Sequence, residues 1–286
     1  MITLLIIQGD EFQKLIIQTK ELHLFLHKLN AMANKYVEFI TDKHFLDCIE
    51  NLYNSYIKAK EGISKKKFYS NKIDTFKLTF DAKFNDISEE TVIENEIMRQ
   101  IDKSINNSIG TFHEQILGGI KGFEMGSLSG YDIKATDNTL FADIKNKHNT
   151  MNSSAAESLF QKLARYADTY KKAKCYWVQI LAKNSFCENW AGDINGKEYS
   201  HSRVFKISGD QFYSLLTGQE DAFFALYKAL PIAISDFLER SLDKTKDEEL
   251  NSALSEIKKA KKESKRTVFD QISFENYGYY LGFDKL

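Results

Sequence analysis

The chain is poor in proline and cysteine. Pro231 is the single proline in 286 residues, which argues against long disordered linkers and suits a helix-rich chain. It is expected to begin a helix, because proline is tolerated in the first helical turn. The odd set Cys48, Cys175 and Cys187 lacks metal-ligand spacing and fits the reducing cytoplasm, where disulfides are rare. The sequence therefore predicts a cytoplasmic protein without a disulfide framework.

The chain also lacks a charge excess of either sign. A formal net charge of −1 offers no overall electrostatic argument for nucleic acid. Basic residues are instead concentrated in three runs, at 65–67, 171–174 and 258–266. A nuclease can focus positive potential in its cleft while it stays neutral overall. Solvated helix faces explain such runs equally well, so both explanations stay open.

Membrane and nucleotide-binding segments are missing as well. Residues 1–10 contain a short apolar run without the basic start of a signal peptide, and the run is too short to span a bilayer. Five glycines lie between Gly118 and Gly130, but no Gly-Lys-Ser/Thr follows them, so they do not form a P-loop. The sequence predicts no membrane contact and assigns these glycines to turns and close packing.

Residues 1–105 are predicted to form a mostly helical lobe, because their apolar residues recur mainly at steps of three and four. Ser88 is expected to cap a helix that ends near Asn106. One exception to the helical pattern is a short half-buried strand, predicted from the alternation of Phe76, Leu78 and Phe80.

Residues 106–286 are predicted to form an α/β core, in which a mixed sheet is flanked by helices, with a helical C-terminal part. A new helix is expected from Ile109. Two short strands follow, joined by a Thr-Asp-Asn-Thr turn, and then an amphipathic helix over 155–172. The apolar run 174–182 predicts a central strand. Residues 203–208 predict another strand.

Three charged residues lie on the predicted hairpin. Asp143 and Lys145 are two residues apart on one strand, so their side chains share a face, and the turn folds Asp132 back towards them. Carboxylates among apolar neighbours cost free energy unless something pairs with them. A divalent cation and a lysine would do so, as a metal-dependent phosphodiesterase requires. A plain Asp–Lys ion pair on a half-exposed hairpin remains the alternative.

The segments Gly130-Tyr131-Asp132 and Asp143-Ile144-Lys145 resemble the PD-(D/E)xK nuclease superfamily. The continuation from Asn146 to Ser154 is similar to Type II restriction endonucleases that cut sites of the GGNCC or GGWCC kind. Two further stretches, which begin at Ile109 and Ile207, also resemble landmarks of that family.

The resemblance implies a restriction-endonuclease-like core and Mg²⁺-dependent, sequence-specific hydrolysis of double-stranded DNA that leaves 5′-phosphate ends. It implies that Asp132 and Asp143 are metal ligands and that Lys145 is the catalytic lysine. Glu114 lies on the upstream helix, where related nucleases often carry another acid, although a helix-surface glutamate is an equally open interpretation.

Polar residues after the catalytic strand are predicted to contact DNA, because amides, imidazoles and ammonium groups bind base edges or phosphates. Capping of the next helix is the competing role for one of them. A second polar cluster near residue 201 is predicted to touch phosphates or bases. The predicted DNA contacts are Lys147, His148, Asn149, Asn152 and Arg203.

A palindromic DNA site implies a two-fold protein, so a homodimer is expected, together with a methyltransferase that protects the host site. Two alternatives stay open. One is a structure-specific repair or junction nuclease of the same fold. The other is a non-catalytic DNA-binding module, against which the intact Asp and Asp-x-Lys set argues. The recognition sequence and cut position do not follow from the sequence.

Overall fold

The protein is described from a computed structural model that covers residues 34–61, 74–126, 130–149, 151–241 and 278–285. Its architecture is α/β, with a mixed six-stranded sheet and helices packed on both faces. The predicted fold class is therefore confirmed. The N-terminal apolar run and the basic runs at 65–67 and 258–266 lie outside the described residues.

Three helices precede the sheet: α1 Asp42–Glu61, α2 Thr75–Asn85 and α3 Glu89–Gly118. The predicted helix break between Asn106 and Ile109 is wrong, because α3 runs through it as one helix of 30 residues. The Asn106 amide donates to Asp102 O at 3.0 Å, within the helix itself. Polar side chains here bond along the helix instead of ending it. The predicted domain boundary after residue 105 falls inside α3, and the division into domains stays a prediction.

The strand predicted at Phe76–Phe80 is also wrong, because these residues belong to α2. The Asp74 side chain caps this helix by accepting from Lys77 N at 3.2 Å. Phenylalanines recur every fourth residue at 76, 80 and 84, which places them on one helical face, and all three are exposed. Apolar residues four positions apart share one face in a strand as well as in a helix, and the N-terminal cap by Asp74 favours the helix.

The strands of the main sheet are arranged in the order β1-β2-β3-β4-β8-β5. The central strands β3, β4 and β8 are parallel to one another, while β1, β2 and β5 pair antiparallel with their neighbours. A separate two-stranded sheet pairs β6 with β7. Their bounds are β1 Phe123–Met125, β2 Ile133–Ala135, β3 Leu140–Lys147, β4 Lys174–Leu181, β5 Cys187–Asn189, β6 Gly192–Ile194, β7 Lys197–Tyr199 and β8 Val204–Ser208.

The remaining elements are α4 Ser153–Thr169, α5 Gly209–Thr217, α6 Ala222–Ser241 and a 3-10 turn at Phe283–Lys285. Pro231 does not begin a helix as predicted; it lies inside α6, on the exposed side. Ala229 and Ala233 on either side of it are buried, so packing of that face holds the helix across the proline. Among the described residues, no helix combines the length and apolar character that crossing a membrane requires.

The two faces of the sheet have separate cores, because neighbouring residues of a strand point to opposite faces. Ala142 and Ile144 of β3 enter a large core with residues of α1, α3, α5 and α6. Phe141 of β3 and Cys175 of β4 enter a small core beneath α4, together with the buried Leu163. The amphipathic helix predicted over 155–172 is confirmed as α4, with Leu159, Phe160 and Leu163 buried. Asp143 and Lys145 have the same parity as Phe141, so they lie on the α4 face.

Candidate active site

A tight hairpin positions the charged residues. Asn138, in the turn between β2 and β3, has φ 59°, a left-handed conformation that asparagine tolerates. The Asp137 side chain accepts from Thr139 N at 3.0 Å and fixes the turn. This turn lies within the predicted Thr-Asp-Asn-Thr segment. It returns the chain so that β2 pairs with β3.

Asp143 and Lys145 come together on β3 as the sequence predicted. The Asp143 carboxylate is buried, with 6% of the side chain exposed, while Lys145 is 32% exposed. Lys145 Nζ forms an ion pair with Asp143 Oδ1. Of the two paired groups, the lysine is therefore the one that is more accessible to solvent.

Asp132 lies one residue before β2, beside the same part of β3. Its backbone N donates to Ala142 O at 2.9 Å. Its Oδ2 accepts from Ile144 N at 2.6 Å. The carboxylate is therefore bonded to the backbone of the residue between Asp143 and Lys145. The structure thus brings Asp132, Asp143 and Lys145 into one site.

The sequence did not predict a second lysine in this site. Lys162 of α4 places Nζ at 2.5 Å from Asp143 Oδ2. It lies 19 residues after Asp143 and outside the motif. The available signal was its position beside Leu159 and Leu163, which predicted that this face of α4 packs on the sheet. Two ammonium groups therefore contact one buried carboxylate.

Glu114 of α3 is half-buried and interacts electrostatically with the same groups. The pKa of Glu114 is raised to about 7, chiefly by burial, with the charges of Asp132 and Asp143 adding to the effect and Lys145 opposing it. Burial also raises the pKa of Asp132, with Asp143 adding to the effect. Glu114 thus shares the field of the two aspartates, unlike an isolated surface glutamate. Its role stays a prediction.

The oxygen atoms of this site suit a hard divalent cation. Asp143 Oδ1 is buried and, among the residues the structure describes, has no hydrogen-bond donor in correct geometry, although Lys145 pairs with it. Such an atom has unused acceptor capacity. No group of three or more His, Cys, Asp or Glu side chains within the described ranges forms a ready-made metal site. One or two carboxylates are what Mg²⁺ commonly takes from protein, the remaining ligands being water and phosphate.

The polar run after Lys145 lies at the carboxyl end of β3. Lys147 is the last strand residue and is exposed, as is Asn149 in the following turn. His148 is half-buried, and its backbone N donates to Leu181 O at 3.1 Å. Asn152 caps α4, since its side chain accepts from Ala155 N at 2.9 Å. The capping role foreseen for one residue of this run is therefore filled by Asn152.

Arg203 lies elsewhere, immediately before β8 at the amino end of the parallel strands. Its Nη1 donates to three carbonyl oxygens at 2.9–3.3 Å, and these oxygens belong to Tyr170, Lys171 and Ala173. The structure does not bring Arg203 together with the charged residues of β3. Its predicted contact with DNA stays a prediction.

His113 is a structural neighbour of the site. Its Nδ1 lies 3.0 Å from the Tyr213 hydroxyl, and its ring stacks on Phe223. Burial lowers the pKa of His113 to about 4, so the ring is neutral near neutral pH. These contacts make His113 a packing and hydrogen-bonding residue.

Comparison with known proteins places this geometry in a sequence family. The sequence model of the Eco47II restriction endonuclease family matches residues 37–239, which include every charged residue of the site. Type II restriction enzyme Sau96I of Staphylococcus aureus is 44% identical over 258 residues, covering 86% of this chain and 97% of the relative. Type II restriction enzyme Eco47II of Escherichia coli is 30% identical over 217 residues, covering 72% of this chain and 90% of the relative.

Proposed function

The chain belongs to the Eco47II restriction endonuclease family, and from this premise we propose that it is a Type II restriction endonuclease. Its substrate is double-stranded DNA, and its reaction is hydrolysis of phosphodiester bonds at a specific sequence. The products carry 5′-phosphate ends. The protein acts as a homodimer on a palindromic site, and a cognate methyltransferase protects the host DNA.

One observation carries this proposal. Within the part of the chain that the structure describes, a buried aspartate on a central strand, Asp143, retains an oxygen without a hydrogen bond while two lysines contact the carboxylate. Asp132 lies beside it, and Glu114 shares its electrostatic field. Burial of several charges at one point is unfavourable for stability alone, and such arrangements are concentrated at functional sites.

Asp132 and Asp143 would hold Mg²⁺ through their carboxylate oxygens, with Glu114 as a nearby third acid. The bound cation would supply charge stabilisation at the phosphate and a more acidic water. Lys145 Nζ donates to a non-bridging phosphate oxygen and stabilises the charge that develops during in-line attack. Asp143 orients Lys145 through the ion pair between them. Lys147, His148 and Asn149 lie two to four residues beyond Lys145, within reach of the DNA backbone or base edges.

The direct test is digestion of plasmid DNA by the purified protein, with Mg²⁺ or with a chelator. We expect discrete fragments in Mg²⁺ and no cleavage in the chelator, and sequencing of the fragment ends gives the site and the cut position. A smear would favour a structure-specific or non-specific nuclease of the same fold. Metal-dependent DNA binding without any cleavage would favour a non-catalytic binding module.

Calcium provides a second test of the same proposal. Ca²⁺ accepts oxygen ligands but has a larger, looser coordination shell than Mg²⁺. We therefore expect Ca²⁺ to support tight binding to the cognate duplex without cleavage, as measured by fluorescence anisotropy. Rapid cutting in Ca²⁺ alone, or equal affinity for random DNA, would contradict the proposal.

A further inference from the structure

A polar groove opens on the α4 face of the sheet, beside the charged residues of β3. We call it the Lys206 groove, and its polar lining consists of His148, Gln179, Lys183, Asn184, Glu188 and Lys206. A second open groove also reaches Lys206 and is lined in part by Asn152 and Asn195. The two grooves therefore meet at Lys206 and together extend from the N-terminus of α4 across the sheet.

Strand register places the Lys206 groove on the same face as the active site. Asp143 is paired with Trp177, and Trp177 with Lys206. Glu188 lies directly opposite Lys206 on the edge strand β5. Paired residues of neighbouring strands project to the same side of a sheet. Asp143, Lys206 and Glu188 thus form part of one row across four strands.

The row also fixes a distance. Strands are spaced about 4.8 Å apart, so Lys206 is roughly 10 Å from Asp143 and Glu188 roughly 14 Å. The major groove of B-DNA is about 12 Å wide. These distances are comparable to that width, so Lys206 and Glu188 can reach base edges of a duplex whose phosphate lies at Asp143 and Lys145.

Lys206 and Glu188 carry complementary groups side by side. Lys206 Nζ lies 2.8 Å from Glu188 Oε1, with 28% of the lysine and 57% of the glutamate side chain exposed. An ion pair that is partly open to solvent contributes little to the stability of the fold. It presents a donor and an acceptor next to each other to solvent.

The side-by-side groups of Lys206 and Glu188 are complementary to a G·C base pair. In the major groove, guanine presents two acceptors, O6 and N7, and cytosine presents the N4 donor. Lysine donates to guanine and glutamate accepts from cytosine, so a neighbouring Lys–Glu pair is complementary to a G·C edge. An A·T pair presents the N7 acceptor and N6 donor of adenine together with the O4 acceptor and the methyl group of thymine, and the apolar methyl group is unfavourable beside a carboxylate.

We infer that the Lys206 groove is the surface that reads sequence, and that Lys206 and Glu188 recognise a G·C base pair near the scissile phosphate. This inference rests on the proposed function. It assigns the choice of base to β8 and β5 at the edge of the sheet, and the chemistry to β3.

The test begins with the wild-type cleavage site, obtained from sequenced fragment ends, and uses duplexes that change one base pair of that site at a time. The variants are Glu188→Gln, Lys206→Met and Lys206→Arg. We expect Glu188→Gln and Lys206→Met to lose roughly tenfold to a hundredfold of the discrimination at a single G·C position, with the other positions unchanged. Lys206→Arg keeps that discrimination, because arginine also donates to guanine.

Matched controls come from another exposed ion pair, Lys43–Asp47 of α1, with Nζ at 2.7 Å from Oδ2. Lys43→Met and Asp47→Asn should leave the preference at every position unchanged. The melting temperature of each variant shows whether it folds. If Lys206→Met fails to fold, Lys206→Arg still tests the inference. Loss of base preference at several positions in Lys206→Arg would overturn the inference.

The two levels of proposal fail in distinguishable ways. A wild-type protein that cuts no DNA in Mg²⁺ overturns the proposed function and this inference together. A wild-type protein that cuts a defined site, while Glu188→Gln and Lys206→Met keep its preference at every position, overturns the inference alone.

Discussion

The two ends of the parallel strands use polar residues in opposite ways. At the amino end, the guanidinium of Arg203 donates to three backbone carbonyls and closes the connection between α4 and β4. Towards the carboxyl end, Asp143 Oδ1 has no hydrogen bond among the described residues, and the side chain of Lys145 is a third exposed. The basic side chain at the amino end bonds backbone carbonyls, while Lys145 pairs with a buried carboxylate. The two ends thus differ in what their basic side chains contact, not in the sign of their charge.

The largest expected effect is at the carboxyl end. We expect Asp143→Asn and Lys145→Ala each to reduce cleavage about a hundredfold or more, because one weakens metal binding and the other removes a charge partner of the phosphate. Plasmid cleavage at saturating Mg²⁺ measures the loss. Circular dichroism and melting temperature should stay close to wild type, and near wild-type cleavage by either variant would remove that residue from the active site.

Arg203→Ala tests the other end of the comparison. The substitution removes the guanidinium that donates to the carbonyls of Tyr170, Lys171 and Ala173. We therefore expect the free energy of unfolding to fall by about 1–3 kcal/mol, measured by denaturant unfolding. Cleavage of the native fraction and the salt dependence of DNA binding should stay unchanged. A flatter salt dependence with unchanged stability would instead show that Arg203 binds phosphate, as the sequence predicted.

Glu114 gives a smaller effect that depends on pH. Its pKa in the folded protein, about 7, lies above the ordinary glutamate pKa of 4.5, so the folded protein binds the extra proton between these two pH values. Stability contributed by that proton is present below about pH 4.5 and is lost as pH rises through 7. We expect Glu114→Gln, which has no such titration, to melt a few degrees above wild type at pH 8 and to differ less at pH 5. Equal differences at both pH values would mean that the pKa of Glu114 is not raised in the folded protein.

The smallest effect is expected at the β6–β7 hairpin, which borders the second groove. Glu157 of α4 holds it by accepting from Tyr199, Asn195 and Lys197, and these hydrogen bonds lower the pKa of Glu157 to about 2. The stability from this carboxylate is present above about pH 4.5 and is lost as pH falls through 2. Glu157→Gln should lower the melting temperature slightly at pH 7, less than Arg203→Ala does. Hydrogen exchange of β6 and β7 should rise, and unchanged exchange would rule out this role.

Patterns within short stretches of sequence correctly predicted the features of the structure that depend on neighbouring residues. Period two placed Asp143 and Lys145 on one face of β3, and the turn sequence placed Asp132 near them. The apolar run 174–182 identified the central strand β4. These features depend on residues that are close in the chain, so the sequence contains the information needed to infer them.

Features that depend on distant contacts were missed. Lys162 joins the site only because α4 crosses back over β3, and no spacing rule links it to Asp143. The phenylalanines of α2 fit strand and helix equally, and the Asp74 cap decided between them. The positive charge of Arg203 fits a residue that bonds backbone carbonyls as well as one that contacts DNA, so the sequence did not distinguish the two roles. Tertiary packing supplied each of these answers.

The hairpin of β2 and β3 has a consequence for which changes in length the gene can tolerate. Extra residues in the exposed turn at 136–139 would be absorbed as a longer loop, at a cost that grows slowly with length. One extra residue inside β3, between Phe141 and Asp143, would reverse the parity of the strand and point Asp143 into the large apolar core. The same hairpin therefore contains a turn that tolerates insertions and, only a few positions away, a strand in which a single inserted residue reverses the side-chain alternation.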